Sequence, residues 1–165
     1  MNHKDRIVNH NQLAGIETSV LDNGPGRGNR IAWINTGSGL RYKVVIDRAM
    51  DIVDAFFNRY SLSWLSHGGD MRPVYGKDLE WLYQFSGGLV TTCGLTHFGP
   101  PEEDGFKSRG IHGRISNTSA EITSIKQPDI DIENDEFYIC GVVKESKVFG
   151  PNYELVRKIS GRCGK

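Results

Sequence analysis

Short apolar runs separated by glycine limit the folds open to this chain more than any other feature of the sequence. Twenty of the 165 residues are glycine, and they fall between apolar segments that are too short for amphipathic helices. Runs of about four to eight residues bounded by turn residues are typical of strands. The sequence therefore predicts a mainly β protein with antiparallel sheets. The predicted strands are Gly15–Leu21, Arg30–Asn35, Leu40–Ile46, Ile52–Phe57, Leu62–Leu65, Leu89–Cys93, Ile111–Asn117, Ala120–Lys126, Glu136–Lys144 and Tyr153–Ser160.

Three segments indicate how these strands pack. Alternate positions of the segment 40–46 are apolar, as in a strand that buries one face. The run Phe137 to Val143 is apolar on both faces, which predicts a central strand covered on each side. In the segment Asp78–Ser86, apolar residues recur at helical spacing and two glycines follow. This pattern predicts one short helix.

The balance of charge argues against two classes of partner, although it leaves room for a local basic patch. Twenty basic residues match twenty acidic residues, so the chain has no general attraction for nucleic acid or for an anionic membrane. No apolar run approaches the ~18 residues that a membrane span requires. We expect one domain over residues 1–165, with a polar tail over residues 1–12 and neither nucleic acid nor membrane as a partner. The three widely spaced cysteines predict reduced thiols and a cytoplasmic protein.

The segment Ser108–Asn117 holds the most informative polar residues. If it is a strand, His112 and Arg114 project from the same face, about 7 Å apart. Donors and acceptors held at fixed spacing suit a polyhydroxylated ligand. The alternative is that these side chains face solvent on an edge strand.

Two further clusters are candidates for a site. Arg48 and Asp51 follow an alternating strand, where Arg48 either reaches into a site or forms a local ion pair that fixes a turn. The glycine-rich segment 87–99 contains His97, which could face a ligand. Cys93, His97 and His112 fit no compact zinc spacing. We therefore expect no metal site and no cofactor.

Four motifs in order give the chain a family resemblance. They are GSGLRYKVVIDRAMDI, LSWLSHGG, GGLVTTCGL and RGIHGRISN, and together they resemble a branch of the aldose 1-epimerase-like (galactose-mutarotase-like) proteins. The resemblance runs from about Gly15 to Ser160. It implies an antiparallel β-sandwich, part of a galactose-mutarotase-like supersandwich, with a small-molecule sugar as ligand.

The resemblance also implies roles for particular residues. His112 corresponds to the histidine that lines the sugar cleft in the family, and Arg48 corresponds to the arginine of the DRAMDI motif. Arg114 follows from its place beside His112, and His97 and Asp51 complete the expected sugar-binding residues. No catalytic residue is assigned.

The chain departs from the family in length. Mutarotation needs an acid at the ring oxygen and a base at the anomeric hydroxyl, and family members bring both from a second half. The Asn-His pairs of this chain, at Asn2 and Asn9, lie in the polar tail. Three hypotheses remain. The chain is an isomerase domain that is active only when completed, a non-catalytic carbohydrate-binding module, or a structural remnant that self-associates. We expect the isolated chain to be inactive or very weak, and to form a homodimer through its C-terminal strands.

Overall fold

A computed structural model describes residues 7–76, 78–104, 107–129 and 135–165 of the chain. Its strands pair throughout in antiparallel fashion, and the largest sheet is a five-stranded meander. A second sheet has three strands, and two short two-stranded pairs complete the described part of the fold. The five strands of the meander are β1 (Gly15–Val20), β2 (Arg30–Asn35), β3 (Leu40–Val45), β4 (Asp51–Phe57) and β5 (Tyr60–Ser61). The remaining strands are β6 (Trp64–Leu65) with β7 (Gly87–Gly88), β8 (Glu102–Asp104) with β9 (Lys107–Arg109), and β10 (Ala120–Lys126), β11 (Glu136–Glu145) and β12 (Tyr153–Arg162) in the three-stranded sheet.

The core lies between the two larger sheets. Inward side chains of β11, such as Phe137 and Ile139, join one buried cluster with residues of the meander, such as Ile34 and Val44. β11 is the central strand of its sheet, as predicted, but only every second residue along it is buried, so the predicted cover on both faces is wrong: the other face is partly exposed. The mainly β, antiparallel fold expected from the sequence is confirmed.

The alternation predicted for β3 is present on the core side, but its outer face is also partly covered. Tyr42 and Val44 are buried in the main cluster. Lys43 points the other way and is nonetheless only 7% exposed. It forms ion pairs with Asp54 of β4 and with Asp70 from the segment after β6. The two carboxylates compensate the burial of the ammonium group.

The predicted strand Ile111–Asn117 is wrong. Ile111 and His112 form a turn in which His112 has a φ of +57°, and Ile115–Asn117 is a 3-10 helix. Gly113, at a φ of +75°, donates its N–H to the carbonyl of Gly110 at 3.1 Å and closes the turn. A strand would require extended φ values at these positions.

Helical structure among the described residues is confined to 3-10 turns. The predicted short helix occurs as Glu80–Tyr83, and further 3-10 turns lie at His10–Gln12, Gly24–Gly26 and Ile115–Asn117. No helix in this part of the chain is long and apolar enough to cross a membrane. The predicted strand Leu89–Cys93 is reduced to a single bridge between Val90 and Ile52. The first six residues of the predicted polar tail lie outside the described residues.

Candidate functional site

Asp51 is part of a buried polar cluster that joins the two sheets. The side chain is 2% exposed. Its Oδ1 accepts hydrogen bonds from the backbone N–H of Thr92 at 2.8 Å and from the Thr92 hydroxyl at 2.5 Å. Arg157 of β12 also donates to this oxygen, at 3.3 Å, and to the carbonyl of Ala49. Burial raises the pKa of Asp51, while the Thr92 and Arg157 bonds oppose that rise. The geometry therefore gives Asp51 a role in attaching β12 to β4.

Arg48 lies in the turn that precedes Asp51, and it is 1% exposed. The turn is built from Ala49 and Met50, both at positive φ. Neither terminal nitrogen of the guanidinium has a hydrogen-bond partner among the described residues. Burial lowers the pKa of Arg48, against the attraction of Asp51 and Asp70. A ligand contact at Arg48 or Asp51, as expected from the sequence, would require the surrounding residues to move.

His112 and His97 lie close together on two connecting segments. The Nδ1 of His112 accepts the backbone N–H of Gly99 at 3.2 Å, and its ring lies 5.0 Å from Trp81 and 5.1 Å from Phe98. The Nε2 of His97 lies 2.7 Å from the carbonyl oxygen of Pro100. The contacts of His112 with Phe98 and Gly99 hold the 97–100 segment against the 110–113 turn, and the His97 contact lies within that segment. No metal-binding group of three or more His, Cys, Asp or Glu side chains occurs among the residues that the structure describes.

A polar pocket of about 180 Å³ lies beside this turn. Its walls combine acidic, basic, hydroxyl and aromatic side chains, and among the lining residues that the structure describes only Glu145, the last residue of β11, is buried. We call it the Glu145 pocket. The lining residues that matter below are Tyr75, Thr96, Arg109, Arg114, Glu145 and Lys147.

Glu145 is 7% exposed, and only one of its two carboxylate oxygens has a hydrogen-bond partner among the described residues. Its Oε1 accepts the hydroxyl of Thr96 at 3.1 Å. Its Oε2 is buried and has no hydrogen-bond partner among the described residues. A buried carboxylate oxygen without a partner is costly, and such a group in a native structure calls for an explanation, of which a bound ligand is one. Glu145 also lines the pocket, so a modest turn of its side chain would bring Oε2 to a ligand hydroxyl that could supply that hydrogen bond.

Arg114 forms another wall of the pocket. Its guanidinium carbon stacks 4.0 Å from the centre of the Tyr75 ring, a contact that orients the planar group. No acidic side chain among the described residues pairs with Arg114, whereas Arg109 binds the carboxylate of Glu102 at 3.2 Å. The edge of the Arg114 guanidinium is therefore available to a ligand.

Of the predicted site residues, Arg114 alone lines the Glu145 pocket. His112 precedes Gly113, which also lines it, and His97 follows Thr96. Arg48 and Asp51 belong to the buried cluster between the sheets. Glu145, Tyr75 and Lys147 were missed. A signal for Glu145 was present, because it continues the buried alternation of Phe137, Ile139, Gly141 and Val143 along β11, and a charged residue at such a position is unusual.

Comparison with known proteins agrees with this fold. A crystal structure from Klebsiella pneumoniae subsp. pneumoniae MGH 78578, described as a "putative aldose 1-epimerase", superimposes with a TM-score of 0.78 at 22% sequence identity. The match covers 99% of this chain and 46% of that protein, so the chain spans about half the length of its structural relative. The fold implied by the sequence resemblance is thereby confirmed. No curated protein matches the chain. A family model described as "Domain of unknown function (DUF4432)" matches residues 26–165, and the chain therefore belongs to that family.

Proposed function

We propose that this chain is a carbohydrate-binding domain of aldose 1-epimerase-like type, and that a monosaccharide occupies the Glu145 pocket. The observation that carries the proposal is the Oε2 of Glu145, a residue that lines the pocket: this oxygen is buried and has no donor among the residues that the structure describes. Sugar hydroxyls are donors that can reach such an oxygen, and a carboxylate accepts them strongly. The fold shared with a protein described as a putative aldose 1-epimerase supports a sugar over other polyhydroxylated ligands.

The rest of the pocket fits the same kind of ligand. Ser108 and Tyr153 add hydroxyl groups to the lining, and Tyr75 adds an aromatic ring. The volume of about 180 Å³ is below the ~300–1,000 Å³ of sites for drug-sized molecules. This size favours one sugar ring over an oligosaccharide.

We propose binding without efficient catalysis for the isolated chain. Opening a sugar ring requires an acid and a base on different atoms of the substrate, and each contributes roughly 10²–10⁴-fold. The described lining of the pocket offers one carboxylate, Glu145, and no histidine. Polarimetry with the purified 165-residue chain tests this point, and fast interconversion of sugar anomers would contradict it.

The compartment of the protein is a further expectation that the thiols support. Cys93, Cys140 and Cys163 are all free, as in proteins of a reducing compartment. Cytoplasmic localisation therefore stays part of the proposal, and fractionation of cells that express the protein checks it.

The test of binding uses Glu145→Gln against a panel of monosaccharides, measured by titration calorimetry and by saturation-transfer NMR. Glutamine can still accept the Thr96 hydroxyl, but its amide nitrogen presents donors where Oε2 was an acceptor. We expect the affinity to fall by about 1.5–3 kcal/mol, roughly 10- to 150-fold, because the lost bond involves a charged group.

The matched control is Glu121→Gln, at an exposed position of β10 in the same sheet. It changes the charge of the chain in the same way and should leave sugar affinity unchanged. Equal affinity in the parent and the E145Q variant would refute the assignment of the pocket. If the parent binds no monosaccharide in the millimolar range, the carbohydrate function is wrong.

A further inference from the structure

We propose that the sugar bound in the Glu145 pocket is anionic, with a carboxylate, phosphate or sulfonate group held by Arg114 and Lys147. The inference rests on the proposed carbohydrate function and adds the chemical class of the ligand. The chain as a whole is neutral, but the described lining of the pocket holds three cationic side chains and one carboxylate. This excess of positive charge is therefore a local property of the pocket.

Of the three cations in the described lining of the pocket, one is neutralised by an ion pair. Arg109 is bound to Glu102 at 3.2 Å. Arg114 and Lys147 have no acidic partner within 4.0 Å among the described residues, and both are exposed at the pocket. Two cationic groups without counterions next to one cavity favour a ligand that supplies the negative charge.

The geometry of Arg114 suits an oxyanion. Stacking on Tyr75 at 4.0 Å fixes the plane of the guanidinium and leaves its N–H edge free. That edge matches two oxygens of a carboxylate, phosphate or sulfonate in a bidentate arrangement. A neutral hydroxyl would use only one of these donors, so the stacked arginine discriminates in favour of the anion.

Glu145 favours the hydroxyl groups of the ligand, whereas Arg114 and Lys147 favour its acidic group. Glu145 is buried, whereas Arg114 and Lys147 are exposed, so the two cations belong to the solvent side of the pocket. An oxyanion is repelled by the Glu145 carboxylate and attracted to the two cations, so it lies at the opening. The ring hydroxyls then point inward to Oε2 of Glu145, which needs donors. The arrangement fixes the orientation of an acidic sugar and gives a neutral sugar no corresponding advantage.

The experiment compares neutral sugars with anionic partners of the same ring. Galactose is paired with galacturonate, and glucose with glucuronate and with glucose 6-phosphate, and inorganic phosphate is titrated alone. Affinities are measured for the parent and for Arg114→Met and Lys147→Met. Arg59→Met is the matched control, because Arg59 also stacks on a tyrosine, Tyr60, with its guanidinium carbon 5.0 Å from the ring centre, and neither residue lines the pocket.

We expect at least one anionic sugar to bind roughly 10-fold or more tightly than its neutral partner, since a charge-assisted pair replaces a neutral contact. R114M and K147M should each reduce that preference, R59M should not, and the preference should weaken as sodium chloride is added. A stronger response to glucuronate or to glucose 6-phosphate then identifies the acidic group.

Different failures have different meanings. If neutral sugars bind as tightly as anionic ones, or if R114M and K147M leave the preference intact, the anionic class is wrong while carbohydrate binding stands. If no sugar binds, the proposed function is wrong and this inference fails with it. Binding of inorganic phosphate alone, with no gain from a sugar ring, would also overturn the proposal.

Discussion

Replacing Arg157 by methionine tests how the two large sheets are held together. Arg157 lies on β12 of the three-stranded sheet, and its guanidinium donates to Asp51 of β4, to the Thr92 hydroxyl and to the Ala49 carbonyl. Methionine keeps much of the aliphatic length of the side chain and removes every one of these donors. The variant therefore isolates the polar contact from the packing of the arginine stem.

The expected loss follows from the burial of Asp51. The carboxylate is 2% exposed, and the loss of the arginine leaves it with Thr92 as its remaining donor residue. Removing one partner of a buried ion pair typically costs about 3–5 kcal/mol. The Arg157 side chain is 20% exposed and the two Thr92 bonds persist, so we expect a smaller loss, about 2–3 kcal/mol in the free energy of unfolding.

The adjacent residue on the same strand supplies the control. Lys158 forms an exposed ion pair with Glu136 at 3.0 Å. Lys158→Met makes a comparable change in charge and length, and it should leave the free energy of unfolding close to that of the parent because exposed pairs contribute little. Urea unfolding of the parent, R157M and K158M, followed by fluorescence and circular dichroism, measures the three values. Equal stability of R157M and K158M would refute the reasoning.

A double-mutant cycle assigns the loss to the pair. Asp51→Asn removes the charge that Arg157 compensates, so R157M should cost less in the D51N background than in the parent. We expect a coupling of at least about 1 kcal/mol, as is usual for residues within one polar network. Additive effects would mean that Arg157 acts through Ala49 and Thr92 alone.

The remaining predictions concern protonation, a buried cation and assembly. Burial raises the pKa of Asp51 above its ordinary 3.8, so between pH 3.8 and the folded pKa the folded state binds more protons at Asp51 than the unfolded state does. The contribution of Asp51 to the free energy of unfolding therefore falls as pH rises through that range. Urea unfolding at a series of pH values should show a smaller fall in the free energy of unfolding for D51N than for the parent. Arg48→Met should lower the free energy of unfolding in urea by less than about 1 kcal/mol, because a buried guanidinium whose terminal nitrogens lack partners among the described residues stabilises little. A loss above about 3 kcal/mol would show that those nitrogens are hydrogen-bonded. The chain should form a homodimer through the edge of β12 that no strand of the described residues pairs, where Val156 is 69% exposed. Light scattering over a hundredfold dilution checks this: Val156→Lys should favour the monomer, and a mass of 18.4 kDa at all concentrations would contradict the prediction.

The strands were predictable where local pattern and tertiary structure agree. Arg30–Asn35 and Ala120–Lys126 have the predicted bounds, since glycine or polar turn residues flank apolar runs there. The segment 111–117 was not predictable in the same way. Its alternation of isoleucine with polar residues imitates a strand, but Ser116 is buried and accepts a hydrogen bond from Trp81, 35 residues earlier in the chain, at 2.7 Å. No local pattern reveals that contact.

The candidate site was predictable only in part, for a related reason. Arg48 and Asp51 are charged residues next to a turn, where exposure is the usual expectation. Both are nonetheless buried, and the residues that bind Asp51 there, Thr92 and Arg157, lie 41 and 106 residues away in the chain. The Glu145 pocket likewise gathers residues from four segments between Tyr75 and Tyr153. Arg114 was identified through the motif that contains it, and not through the strand geometry assumed for it.

Stability and sugar affinity should respond to different variants, because the sheet residues and the pocket cations lie on different parts of the fold. Asp51, Arg157 and Phe137 belong to the packed sheets, whereas Arg114, Lys147 and Tyr75 lie on segments outside regular strands. Contacts among sheet residues carry the global stability, and connecting segments open at lower free energy. R157M should therefore lower the melting temperature and leave sugar affinity intact below that temperature. R114M should lower sugar affinity and leave the melting temperature unchanged. If both properties change together in both variants, the pocket and the sheet junction form one cooperative unit, and affinity would then follow stability instead of the charges that line the pocket.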